Sequence, residues 1–172
     1  MQIGDDAVPM FVDKGAFVAL DDYIKGQDGL DTGIYLPGLL APGQWNGKQY
    51  LLVKDYSPLG VYYNKKIFDQ NNVPYPTDGW TWDDLLKTAQ ALTKDTTGDG
   101  KTDVWGIQLP ATWTTGFEYW VAAAGGKLIS EDGKQFVGYM DSPETQAALQ
   151  FYADLYNKYK VAPPPADLAM FG

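Results

Sequence analysis

The sequence predicts an α/β fold on three observations. Gly60-Val61-Tyr62-Tyr63 is a run of β-branched and aromatic residues that suits a buried strand, and Asn64 to Asp69 turns straight into a short helix with a polar face. Beyond the breaks at Pro74 and Pro76, Thr81 stands as an N-cap with Asp84 three residues on. Leu85, Leu86, Ala89 and Leu92 then recur at helical spacing, which predicts a longer helix from Trp82. The 45% apolar content is that of a globular chain.

Composition removes several function classes. The net charge of −9 opposes nucleic acid or an anionic membrane surface as partner. Cysteine and histidine are both absent, so disulfides, thiolate nucleophiles, imidazole bases and the usual zinc ligands are excluded together. No uncharged apolar run approaches the ~20 residues needed to span a bilayer, and the N-terminus lacks a basic-then-apolar signal. Six Trp, twelve Tyr and seven Phe make up 15% of the chain. Most of these rings are expected to fill core. The remainder, set beside acids and amides, suit the flat C–H faces and hydroxyl rims of a neutral oligosaccharide.

The remaining elements follow in chain order. Residues 1–4 fit the end of a strand, and Phe11, Phe17, Leu20 and Ile24 can line one face of short helices. Asp5 and Asp6 lie at that junction, at the strand end where open α/β folds bind ligands, with helix capping as their alternative role. Residues 25–47 are dense in glycine and proline and predict a long surface connection pinned down by Tyr35, Leu36, Leu39, Leu40 and Trp45. Asn46-Gly47 signals a turn into a strand from Lys48 to Val53. Lys54-Asp55-Tyr56-Ser57-Pro58 interrupts two apolar stretches with polar groups, which suits either a wet cleft or a plain Ser-Pro turn.

Asp95 to Asp103 is the sharpest local motif. Asp95, Thr97, Asp99 and Asp103 place oxygens at positions 1, 3, 5 and 9 of an EF-hand-like loop, Lys101 stands at position 7, and Gly100 sits at the sharp turn. These five residues form a candidate Ca²⁺ loop. Position 12 is Gly106, so the bidentate acid is missing, and an unliganded Asx/Gly turn is the alternative. Val104 to Leu109 predicts a strand, Trp113 to Ala124 an amphipathic helix, and Gln135 to Tyr139 after Glu131-Asp132-Gly133-Lys134 a β-hairpin with Gly125 to Ile129. Ser142 caps a last helix with Pro143 at its first position; Ala148, Phe151, Tyr152, Leu155 and Tyr159 form its buried face, and Pro163-Pro164-Pro165 stops it.

Taken together, "YYNKKIF", "PTDGWTWDDLL", the acidic glycine loop, "AAGG" and "DSPETQAAL" resemble, in order, blocks of the extracellular solute-binding proteins of ABC transporters, in their carbohydrate-binding, maltose-binding-like branch. The resemblance implies a type II periplasmic-binding-protein architecture, here an incomplete two-lobe fragment from the middle of the family. Residues 1–60 then form part of the first lobe with the hinge-crossing strand, and residues 61–172 part of a helix-rich second lobe. By the same resemblance Tyr56 and Ser57 contact sugar hydroxyls, Trp113, Thr114 and Thr115 point into the ligand cleft, and some members hold calcium at the loop. Val53 departs from the family, which usually has proline there.

The function so implied is capture of a carbohydrate, an oligosaccharide by expectation, outside the cytoplasmic membrane and its delivery to an ABC permease. No bond is made or broken and no cofactor is required, with Ca²⁺ the one candidate. The location is extracytoplasmic, in the periplasm or as a cell-surface lipoprotein, with the signal absent from this chain. Two other classes compete. A glycoside hydrolase would need an acid pair such as Asp6 and Glu118 roughly 5–10 Å apart, and a calcium-dependent interaction module would rest on the Asp95 loop alone. Exposed sheet edges in such a piece also predict pairing into a homodimer.

Overall fold

The computed structural model describes residue 4 and residues 7–26, 28–110 and 116–164. The chain divides into two compact units, Met1–Pro58 and Leu59–Gly172.

The first unit is built from short pieces. Helix α1 (Val8–Asp13) carries Pro9 in its first turn, where the missing N–H is no loss, and buries Val8 to 1% exposure. Phe11 stacks on Phe17 with ring centroids 5.2 Å apart. Helix α2 (Asp21–Ile24) is a single turn. The 25–47 connection contains two 3₁₀ turns, Thr32–Ile34 and Ala41–Gly43, and leads into strands β1 (Gln44–Trp45) and β2 (Lys48–Gln49). These pair antiparallel, with Gln44 opposite Gln49 and Trp45 opposite Lys48. Asn46 and Gly47 both have positive φ, 49° and 74°, which is the backbone of a two-residue hairpin turn and the reason this dipeptide is favoured there. Buried Gln49 fastens the unit: its amide N–H donates to the Asp21 carboxylate at 3.1 Å, its carbonyl accepts from Leu20 N–H at 2.7 Å, and its side chain donates to the carbonyls of Leu40 and Leu51.

The second unit is helical around one core. Helix α3 (Lys65–Gln70) begins at Asn64, whose side chain accepts from the N–H groups of Lys66 and Ile67. Helix α4 (Trp82–Leu92) starts in a full capping box between Thr81 and Asp84. Helix α5 (Glu118–Ala123) packs against α6 (Pro143–Asn157), which is capped by the Ser142 side chain on Thr145 N–H. Leu85 and Ala89 of α4, Leu155 of α6, and Leu109, Val161 and Ala162 form the buried centre. An aromatic wall flanks it: Trp82 stacks on Phe151 at 4.8 Å, and Trp120 lies 5.5 Å from Trp82 and 5.7 Å from Phe151.

The helices fall where periodicity and caps place them, but the expected strands do not form ladders. Leu52 to Tyr63 makes no backbone–backbone hydrogen bond with any described residue, so the strand expected over Lys48–Val53 is confined to Lys48–Gln49 and Val61–Tyr63 is not a strand. Among the described residues Val104 to Leu109 makes backbone–backbone bonds at two points, a bridge between Val104 and Lys94 and the bond from Ile107 N–H to Val161 O at 3.1 Å, with side-chain bonds at Gly106 and Leu109. Residues 127–139 turn at Asp132-Gly133 but close with one backbone bond, Ser130 N–H to Gln135 O, rather than as a hairpin ladder. The physical reason is common to all three: side chains can favour an extended backbone, whereas a strand exists only when a neighbour supplies donors and acceptors. The helix expected over 113–124 is described as α5 alone, and residues 111–115 lie outside the described residues.

Candidate functional site

Of the seven expected ligand contacts, Tyr56 and Ser57 are described; Asp5, Asp6, Trp113, Thr114 and Thr115 lie outside the described residues. Tyr56 is 54% exposed and Ser57 is exposed, both on the irregular segment that ends the first unit. Beside them Lys54 Nζ and Asp55 Oδ2 are 3.8 Å apart, with both side chains about three-quarters in solvent. Such a pair is worth little in stability and leaves both groups available to a ligand.

Two tyrosines of α6 hold the chain at Leu109 and Pro110; the sequence reading places Tyr152 on the buried helix face and does not single out Tyr156. Tyr152 Oη donates to Pro110 O at 2.5 Å, and Tyr156 Oη donates to Leu109 O at 3.2 Å, the two hydroxyls being 3.3 Å apart. Helix α6 therefore grips the carbonyls of Leu109 and Pro110, the last described residues before the stretch that contains Trp113, Thr114 and Thr115. Burial, then the neighbouring Tyr152 hydroxyl, pushes the Tyr156 hydroxyl well above its usual range, so it remains a donor. The sequence signal for this role is the i, i+4 spacing of the two tyrosines on one helix face.

The packing also sorts the aromatics. Trp82 and Trp120 belong to the wall described above, Trp80 packs on the core, and Trp45 Nε1 donates to Asp13 at 3.1 Å. The large rings left open among the described residues are Phe136 and six tyrosines, Tyr23, Tyr56, Tyr62, Tyr63, Tyr75 and Tyr119. Two surface depressions lie in the second unit. One of about 230 Å³ is lined by Asp103, Trp105, Ile107, Gln108 and Pro163, and one of about 330 Å³ by Tyr75, Trp80, Asp84 and Lys87.

The Asp95 loop is closed by its own carboxylates. Asp95 accepts from the N–H groups of Gly98 and Gly100 at 2.6 and 2.8 Å, and Asp103 Oδ2 accepts from Thr96 and Thr97 at 2.7 and 3.0 Å. Thr97 Oγ1 lies 3.4 Å from Asp95, while Asp99 accepts from Lys101 N–H at 2.9 Å. These bonds, the Gly98 amide foremost for Asp95 and the Thr96 hydroxyl for Asp103, hold both carboxyls below the usual carboxylate range. A calcium ion would compete with four loop amides for the same oxygens and would meet Gly106 where a bidentate acid is needed. Among the described residues no group of three or more His, Cys, Asp or Glu is arranged to hold a metal ion.

The helix order and the segments between them are those of type II solute-binding proteins. The structure superposes on the ABC substrate-binding protein Lmo0181 of Listeria monocytogenes, solved in complex with cycloalternan, with a TM-score of 0.78 and 31% identity, covering 97% of this chain and 41% of that one. It also superposes on an ABC transporter solute-binding protein of Thermotoga lettingae bound with α-D-tagatose, with a TM-score of 0.63 and 28% identity, covering 91% and 38%. The chain belongs to the bacterial extracellular solute-binding protein family, whose model matches residues 1–170. By sequence it is 29% identical over 153 residues to the diacetylchitobiose-binding protein DasA of Streptomyces coelicolor, spanning 88% of this chain and 33% of that relative. The chain thus spans about two fifths or less of the length of these relatives.

Proposed function

We propose that this chain forms part of a protein that captures an oligosaccharide outside the cytoplasmic membrane and delivers it to ABC permease subunits. The observation that best supports this is the superposition on Lmo0181 over nearly the whole chain, because that protein was solved with a cyclic oligosaccharide. DasA, whose name gives an acetylated amino-sugar disaccharide as its ligand, supports the same ligand class. The chemistry is recognition alone: exposed tyrosines offer faces to the sugar ring, and Lys54, Asp55, Tyr56 and Ser57 offer donors and acceptors to its hydroxyls. Asp5, Asp6, Trp113, Thr114 and Thr115 complete the contacts in this reading. Protein on the cell's outer side, free or lipid-anchored, fits this role, and no enzyme activity belongs to it.

No metal is needed in this reading, because the Asp95 loop satisfies its own carboxylates. Titration calorimetry against a panel of chito-, malto-, cello- and manno-oligosaccharides tests the ligand class. Saturable heat with one sugar family is expected, and equal silence from all of them with a folded chain overturns it. Turnover of a chromogenic glycoside by the same chain would overturn the reading in favour of a hydrolase.

A further inference from the structure

We propose that Asn46 is a covalent modification site, deamidated by attack of the Gly47 amide nitrogen once the turn between β1 and β2 opens. The Gly47 nitrogen gives up its proton and bonds to Asn46 Cγ, the bond from Cγ to Nδ2 breaks, and ammonia leaves with that proton. A five-membered succinimide ring remains. Water then adds to one of its two carbonyls and opens it: addition at the main-chain carbonyl gives isoaspartate, and addition at Cγ gives aspartate. Water is the only co-reactant, and nothing is oxidised or reduced.

Sequence and geometry single out this asparagine. Alone among the asparagines of the chain, Asn46 is followed by glycine, whose missing side chain leaves the attacking nitrogen uncrowded. A Cβ built on Gly47 would meet nothing within 4 Å, and both residues are exposed. The Gly47 N–H makes no backbone–backbone hydrogen bond among the described residues, so using that nitrogen breaks none. The other asparagines stand at helix ends and precede bulkier residues. Asn64 caps α3 with its side chain, Asn71 Nδ2 donates to Ile67 O at 2.8 Å, Asn72 precedes Val73, and Asn157 is the last residue of α6.

The closed turn holds the reaction back. With φ of 49° and 74°, Asn46 and Gly47 match a type I′ turn, whose first residue keeps ψ near ~30°. Ring closure ties Cγ to the next nitrogen and needs that residue to swing well away from this value, so the hairpin must open first. It has two rungs, Gln44 with Gln49 and Trp45 with Lys48, and a ribbon so short is marginal on its own. Gln49 holds it down, through the bonds to Leu20, Asp21, Leu40 and Leu51, and so governs how often the turn opens. Once open, the attack is intramolecular and needs no catalyst. Isoaspartate routes the main chain through the side-chain carbon, which lengthens the turn by an atom, and either product adds a negative charge to a chain already at −9.

The test is peptide mapping by mass spectrometry after the whole chain has stood in mildly alkaline buffer, folded or in denaturant. Trypsin releases Asn46 in the peptide Gly26–Lys48, which holds no other asparagine. Conversion of amide to acid is expected there before it reaches Asn64, Asn71, Asn72 or Asn157, with isoaspartate among the products. It should quicken as pH rises, because the attacking nitrogen must lose its proton. Gln49→Ala leaves the Asn-Gly pair intact and should speed the conversion about five-fold, the population effect of losing one net hydrogen bond. Asp21→Ala, which frees the Gln49 N–H, should speed it independently. Asn46 still intact in the folded chain after the denatured chain has converted completely, earlier conversion at another asparagine, or a rate unchanged in both variants each overturns the proposal.

Discussion

Removing the Tyr152 hydroxyl gives the sharpest test of whether helix α6 positions the expected cleft residues. In Tyr152→Phe the ring stays against Trp120, at a centroid distance of 5.8 Å, while Pro110 O loses its donor and Tyr156 loses a neighbour 3.3 Å away. One such hydrogen bond is worth a net ~1 kcal/mol. The second unit has roughly 110 residues and hence an unfolding entropy of ~0.2 kcal/mol/K, so Tm should fall by ~4 °C. Tyr156→Phe, which frees Leu109 O, should fall by a similar amount. The double variant should fall by less than the sum, because the two hydroxyls touch. If the two tyrosines also set the approach of residues 113–115, each variant should bind its oligosaccharide ~3–10-fold more weakly, the affinity equivalent of ~1 kcal/mol. The assay is thermal unfolding by circular dichroism beside titration calorimetry on the same preparations. An unchanged Tm in both single variants refutes the hydrogen-bonding account, and a lowered Tm with undiminished affinity refutes the positioning role.

Other expected outcomes follow from the same coordinates. Gly106→Ala should lower stability by ~1–3 kcal/mol in a denaturant titration, because its Cβ would lie 1.9 Å from the Ala89 carbonyl oxygen, in the middle of backbone. Thr81→Ala should cost ~1 kcal/mol by removing the α4 capping box, read by the same titration. Asp84 and Asp132 have carboxyls held below the ordinary range, by the Thr81 and Ser130 hydroxyls first of all. Their contribution is complete above the ordinary carboxylate range and is lost as pH falls through the lower folded value, so Tm measured down the acid limb should drop less steeply in Asp84→Asn than in the parent chain. If the loop closes on its own amides without a metal, excess chelator should leave Tm within ~1 °C; a rise of several degrees on adding Ca²⁺ would contradict the self-closed loop.

What the sequence makes legible here is local physics. Thr81, Ser142 and Asn64 each satisfy the first N–H groups of their own helix, and Asn46-Gly47 takes the positive φ pair that its turn requires, so these features follow from a few consecutive residues. The buried face of α6 is equally plain, with Ala148 and Leu155 fully buried. The runs expected as strands at Lys48–Val53, Gly60–Tyr63 and Val104–Leu109 are a different matter. Their composition favours a strand, but the ladder depends on strands elsewhere, and no periodicity encodes whether those neighbours are at hand.

The candidate site divides along the same line. Tyr56 and Ser57 stand out because polar groups interrupt apolar chain, and both are open to solvent. The i, i+4 spacing of Tyr152 and Tyr156 is visible in the sequence, but their partners Pro110 and Leu109 lie more than forty positions away and are not. In the Asp95 loop the spacing alone fits a cation, whereas the geometry shows each of the two outer carboxylates already taken by loop amides.

The central claim, that this chain takes part in oligosaccharide recognition, is tested most directly by titration calorimetry of the folded chain with chito- and malto-oligosaccharides beside a monosaccharide and an amino acid as controls. The account predicts saturable binding of one oligosaccharide series that weakens in Tyr56→Ala, with no heat from the amino acid. Heat from the amino acid alone, or no heat from any sugar, would contradict it.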